Sequence, residues 1–183
     1  MQKIKKKIRC VLFDFDGVLI DSLPSMKIAW DFVKKKYGLT ADFNDFKENI
    51  GLPFCEILKN LKINLDLHPK ITKDYALISS RNKTLIKLNS NVTWLINWLN
   101  KNSIEIGIVT SKDKIRTKEL IEFFQIDIKL IVTPESTSKG KPFPDPIFFA
   151  SKELSISPKN IVFVGDMESD MKCANMAKCY YLH

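Results

Sequence analysis

Four short apolar runs outline the fold before anything else does. Residues 9–13, 105–110, 130–133 and 161–165 are rich in β-branched and aromatic side chains. They are too short for helices and too uniformly apolar for half-exposed strands, so they read as buried parallel strands. Residues 92–100, between the first two runs, place Trp94, Leu95, Trp98 and Leu99 on one helical stripe. Residues 114–124 do the same with Ile115, Leu120, Ile121 and Phe124, and residues 145–154 and 169–177 supply two further helices. Strand alternating with helix means a parallel sheet with right-handed crossovers, an α/β class. The exception is residues 22–89, which carry helical spacing (Met26, Ala29, Trp30, Val33, Tyr37, then Ile57, Leu58, Leu61) and no convincing strand. This segment leaves the sheet after the first strand and returns before the second. The expected division is therefore a core of residues 1–21 and 90–183 with a helical insertion over 22–89. Trp30, Trp94 and Trp98 are expected in the core.

The chain's 183 residues, 45% hydrophobic and 27% charged, suit one globular domain carrying such an insertion. No apolar run approaches the roughly 18–20 residues that span a bilayer. The basic start leads into a strand rather than a cleavable leader, so no secretory signal is expected. Cys10, Cys55, Cys173 and Cys179 have no CxxC spacing, which argues against a zinc site or a disulfide framework. A cytoplasmic, reduced protein is expected, monomeric or homodimeric, without a membrane or nucleic-acid partner. The net charge is +8, and Lys3, Lys5, Lys6, Lys7 and Arg9 carry five of the positive charges as a solvated tail. No basic–aromatic interleaving suggests nucleic acid.

In an open α/β sheet, ligands bind beyond the carboxyl ends of the strands. The first run ends in Asp14 and Asp16, the second in Thr110 and Ser111, and the fourth in Gly165 and Asp166 with Asp170 beyond. The third enters a loop reading SKGKPFPDP. Each feature alone is ordinary: a Thr-Ser pair caps helices, and Gly-Asp after a strand makes a turn. Four of them on one sheet edge are not.

DFDGVLIDS, VTS, KGKPFPDP and VGDMESD, in that order, resemble the four motifs of the haloacid dehalogenase superfamily, and the likeness covers nearly the whole chain. It implies a Rossmann-like core with a mobile cap, the insertion matching the helical cap type. KPFPDP and GDMESD look most like the phosphoglycolate phosphatase branch. The family also usually continues beyond the fourth motif through another strand and often a helix. The chain ends at residues 180–183, so an edge strand is expected to be missing or cut short.

The residues make chemical sense of that resemblance. Asp14 is placed to attack phosphorus and form an aspartyl-phosphate. Asp16 can protonate the leaving oxygen and later take a proton from water. Thr110, the Ser111 N–H and the Lys141 ammonium can neutralise the equatorial oxygens. Gathered carboxylates beside a phosphate require a cation, and Mg2+ suits an all-oxygen site. The resemblance implies Asp14, Asp166 and the Asp16 carbonyl as its ligands. It has Asp170 orient water or pair with Lys141, and Gly165 in support. Lys141, directly before Pro-x-Pro-Asp, is preferred over Lys139 as the motif lysine. Asp21 and Ser22 read as the hinge and N-cap of the first inserted helix. Gly51, Leu52, Pro53 and Phe54 resemble a cap loop facing the substrate, the alternative being a plain helix–helix turn.

The carboxylate at Asp16 leaves phosphatases and phosphomutases within the superfamily. The expected function is a Mg-dependent phosphatase acting on a small phosphorylated metabolite, phosphoglycolate-like or a sugar phosphate. The alternatives are a phosphomutase of the beta-phosphoglucomutase type and a non-catalytic regulator that binds a phosphometabolite.

Overall fold

In the computed structural model, which describes residues 8–183, a five-stranded sheet is covered by helices and a four-helix insertion stands at one end. The lysines at positions 3, 5, 6 and 7 lie outside the described residues. Strands β1 (Cys10–Phe13), β4 (Glu105–Val109), β5 (Leu130–Val132), β6 (Ile161–Val164) and β7 (Tyr180–Leu182) pair in parallel in the order β5-β4-β1-β6-β7. Register is direct: Leu12 faces Gly107 on one side and Phe163 on the other.

Successive strand side chains alternate faces, and the core divides accordingly. Phe13 and Ile108 pack on one side with Ile96, Leu99 and Leu120 from helices α5 (Val92–Lys101) and α6 (Lys114–Phe124). Cys10, Leu12 and Phe163 pack on the other with Ile147 and Ala174 from α7 (Asp145–Glu153) and α8 (Glu168–Ala177). Helices α1 (Leu23–Tyr37), α2 (Phe43–Lys47), α3 (Phe54–Asn60) and α4 (His68–Arg81) enclose a third cluster of Met26, Trp30, Val33, Phe46, Ile57, Leu58 and Ile71. Trp30 stacks on Phe46 with ring centroids 4.6 Å apart. Helix α1 has Pro near its start, three lysines in its last turn and Gly38 in the left-handed conformation at its end, the expected asymmetry of a well-terminated helix.

Four expectations are corrected. The insertion's neck contains strands: β2 (Ile20–Asp21) pairs antiparallel with β3 (Lys87–Leu88), two residues each, too short for any alternation to show. Trp94 and Trp98 are not core but 65% and 45% exposed, because α5 buries the adjacent stripe of Val92, Ile96 and Leu99. Ile115 likewise stands 84% exposed at the start of α6. An edge strand does follow the fourth motif, since β7 pairs along β6 with Val162 opposite Tyr180. Among the described residues no helix is long and apolar enough to cross a membrane.

Candidate active site

The parallel sheet sends every strand's carboxyl end to one edge, and the polar residues that follow β1, β4 and β6 meet there. Asp14, 3% exposed, leaves β1 with its N–H still bonded to Val164 of β6. Lys141 comes from the loop between β5 and α7, is itself 3% exposed, and sits between two carboxylates. Its Nζ is 2.8 Å from Asp14 Oδ1 and 2.6 Å from Asp170 Oδ1. Asp170, wholly buried in the first turn of α8, is held in turn by the Met167 N–H. Carboxylate oxygens of Asp14, Asp166 and Asp170 all lie within 4.8 Å of one another.

Such crowding has electrostatic consequences. The Asp14 carboxyl is raised to about 7: burial pushes it up most, Asp170 and Asp16 add to the rise, and Lys141 pulls against them. Burial alone would lower Lys141, but Asp14 and Asp170 outweigh it and hold the ammonium well above its ordinary range. Asp166 is raised by burial and by Asp170. Four carboxylates (Asp14, Asp16, Asp166, Asp170) thus face two ammonium groups, Lys141 and Lys112. The surplus negative charge and the all-oxygen donor set are what a hard divalent cation requires.

The backbone is shaped to this crowding. Gly17 has φ +86°, a conformation that L side chains rarely adopt, and a Cβ there would fall 2.1 Å from Asp166 Oδ2, so any side chain at this position would displace that carboxylate. Gly165, after β6, accepts a hydrogen bond from the Tyr181 hydroxyl and donates its N–H to Leu182, tying the fourth motif to β7.

Asp16 stands outside the three-carboxylate group and has partners of its own. Its Oδ1 accepts from Ser22 Oγ and its Oδ2 lies 3.2 Å from Lys112 Nζ. Ser22 therefore makes no side-chain cap for α1; Asp21 Oδ1 instead accepts the Leu23 N–H. Thr110 is buried at the end of β4, its N–H bonded to Val132 O. Ser111 Oγ donates to Gly51 O at 2.6 Å, which brings the loop of Gly51, Leu52, Pro53 and Phe54 from the insertion down to the sheet edge. Gly51 has φ +98° and rests against Ser169 and Met167. Lys139 is exposed over the Phe143 ring, away from the carboxylates.

A cavity of about 540 Å³ lies between this edge and the insertion, with Asp14, Asp16, Thr110, Ser111 and Lys141 at one end and Gly51 to Phe54 along a side. Tyr75 and Arg116 also line it. Arg116 crosses from α6 to the insertion, donating to Ser79 O at 2.8 Å and to Glu119 Oε2 at 2.6 Å. Ser80 and Lys83 also reach Glu119. Sequence reasoning missed Lys112 and Arg116 and gave Ser22 only a capping role. Lys112 was legible, directly following the strand-end pair Thr110-Ser111, but Ser22 and Arg116 meet their partners only through the tertiary fold.

The sequence model of the haloacid dehalogenase-like hydrolases matches residues 11–182. The chain is 28% identical over 189 residues to the phosphoglycolate phosphatase of Pseudomonas fluorescens, covering 95% of this chain and 69% of that one. It is 24% identical over 172 residues to pyrophosphatase PpaX of Oceanobacillus iheyensis, covering 90% and 77%. Among solved structures, a hydrolase from Pseudomonas syringae superposes with a TM-score of 0.87 at 24% identity, over 94% of this chain and 82% of that one. A match running from β1 through β7 takes in all four strand-end motifs: the chain belongs to the haloacid dehalogenase-like hydrolase family.

Proposed function

We propose that this protein is a magnesium-dependent phosphatase that hydrolyses a small phosphate monoester through an aspartyl-phosphate on Asp14. The observation that carries the reading is the buried Asp14–Lys141–Asp170 chain beside Asp166, at the floor of a cavity large enough for a substrate. Relatives named for phosphoglycolate and pyrophosphate hydrolysis support the reaction class. Residues 22–89 act as a cap over a catalytic core of residues 1–21 and 90–183.

The donor set fits the cation. Asp14, Asp166 and the Asp16 carbonyl would hold Mg2+, which when bound offsets the charge of the phosphoryl group. The protein's own groups do the rest. Thr110, the Ser111 N–H and Lys141 hold the phosphoryl oxygens. An Asp14 oxygen attacks phosphorus, and the bond from phosphorus to the leaving oxygen breaks. Asp16 gives that oxygen its proton. It then takes a proton from the water that attacks the aspartyl-phosphate, so inorganic phosphate departs and Asp14 is regenerated. Lys112 and Ser22 keep the Asp16 carboxyl apart from the metal carboxylates and aimed at the leaving group. Asp170 positions Lys141, with Gly165 supporting the turn, and the loop of Gly51, Leu52, Pro53 and Phe54 meets the leaving group.

The test is phosphate release from a panel of monoesters, with magnesium and then with EDTA. Magnesium-dependent release that Asp14→Asn abolishes is the expected result; release that survives Asp14→Asn in folded protein removes the nucleophile assignment.

A further inference from the structure

The geometry points to a substrate whose leaving group carries an uncharged flat ring, as the nucleoside of a nucleoside monophosphate does. This rests on the phosphatase reading above and names its substrate class. Three observations carry it. The first is size: about 540 Å³ is within the range of sites that enclose drug-sized ligands, and a two-carbon acid would leave most of it as water.

The second is the apolar part of the lining. Phe46, Ile50, Leu52, Phe54, Ile57 and Tyr75 belong to it. Three of these are rings in mutual contact: Phe54 and Tyr75 have centroids 4.5 Å apart, and Phe46 lies 5.7 Å from Tyr75 and 6.2 Å from Phe54. Phe46 is 2% exposed and belongs to the insertion's core, so it backs the partly exposed Phe54 and Tyr75, which offer the ring surface on which a flat group can stack.

The third is charge. The buried cations of the cavity are already paired: Lys141 with Asp14 and Asp170, Lys112 with Asp16, and Arg116 with Glu119. Lys73, which also lines it, is solvent-exposed. A leaving group bearing a second anion, such as the carboxylate of phosphoglycolate or the second phosphate of pyrophosphate, finds no unpaired buried cation. What remains of the lining is mostly apolar, with the Phe54 and Tyr75 rings in it. An uncharged flat ring matches that surface, and neither a second anion nor a short alkyl chain does.

The experiment compares kcat/KM of the full chain with magnesium on four probes: adenosine monophosphate, ribose phosphate, phosphoglycolate and pyrophosphate. Adenosine monophosphate is expected to exceed ribose phosphate by about 10-fold or more, the scale of one base–aromatic stack, and to exceed the two anionic probes as well. Phe54→Leu is expected to pull the adenosine-to-ribose ratio towards unity. Equal turnover of the nucleotide and ribose phosphate, or a preference for phosphoglycolate or pyrophosphate, overturns the inference and leaves the phosphatase reading standing. Silence on every probe removes the phosphatase reading instead. Calorimetric binding then decides this inference separately, and adenosine monophosphate binding no tighter than ribose phosphate overturns it.

Discussion

Asp14 and Lys141 meet at 2.8 Å in a nearly dry site, where burial raises the Asp14 carboxyl against the pull of Lys141, and Asp14 and Asp170 hold Lys141 above its ordinary range against its own burial. Replacing Asp14 by Asn keeps the shape and removes the charged oxygen, so turnover should vanish while the melting temperature stays close to wild type. Asp16→Asn should slow the reaction by roughly 10²–10⁴-fold, the scale of general acid–base loss. Gly17→Ala presses a methyl group into the space of Asp166 Oδ2. It should weaken magnesium activation by about 10–100-fold, as lost support of a metal ligand does, and a magnesium titration of activity reads it. Two tryptophans make a paired control. Trp30→Ala empties a fully buried site and should cost about 3–5 kcal/mol in a denaturant melt. Trp94→Ala, at 65% exposure, should cost no more than about 0.5 kcal/mol.

Helix α6 carries one of the contacts that join the insertion to the core, through Arg116 and Glu119 to Ser79, Ser80 and Lys83. Burial by itself would raise the Glu119 carboxyl, but the hydrogen bonds from Arg116, Lys83 and Ser80 outweigh it and hold it below the ordinary range. A carboxyl depressed on folding stabilises the protein above its unfolded pKa, and that stabilisation disappears as pH falls through the folded value. Glu119→Gln should therefore lower the melting temperature near neutrality, with the gap from wild type closing on acidification below the usual glutamate range. A gap independent of pH would mean that packing, not charge, makes the contact. Helix α6 was legible in extent because hydrophobic spacing is local, although Ile115 at its start turned out exposed. Helix α5 was legible in position but not in rotation. Its two tryptophans suggest one face, and the sheet beneath selects Val92, Ile96 and Leu99 on another.

The whole molecule brings carboxylates from β1, the turn after β6 and the start of α8 within 4.8 Å of one another, an arrangement that water alone does not stabilise. Magnesium at about a hundredfold excess over its Kd should raise the melting temperature by about 5–10 °C, and Asp166→Asn should remove most of that rise. The class of fold, the four motifs and their common edge follow from the chain alone. Burial of strands and polarity of their ends are written in consecutive residues, and a parallel sheet has one carboxyl edge. Sequence distance hides the rest. Ser22 reaching Asp16, Arg116 reaching Ser79, the two-residue β2–β3 pair and the aromatic wall of Phe46, Phe54 and Tyr75 join residues through packing between elements. No periodicity encodes how one packed helix sits against another, so only the tertiary structure decided the shape of the cavity, and with it the leaving group that the cavity suits.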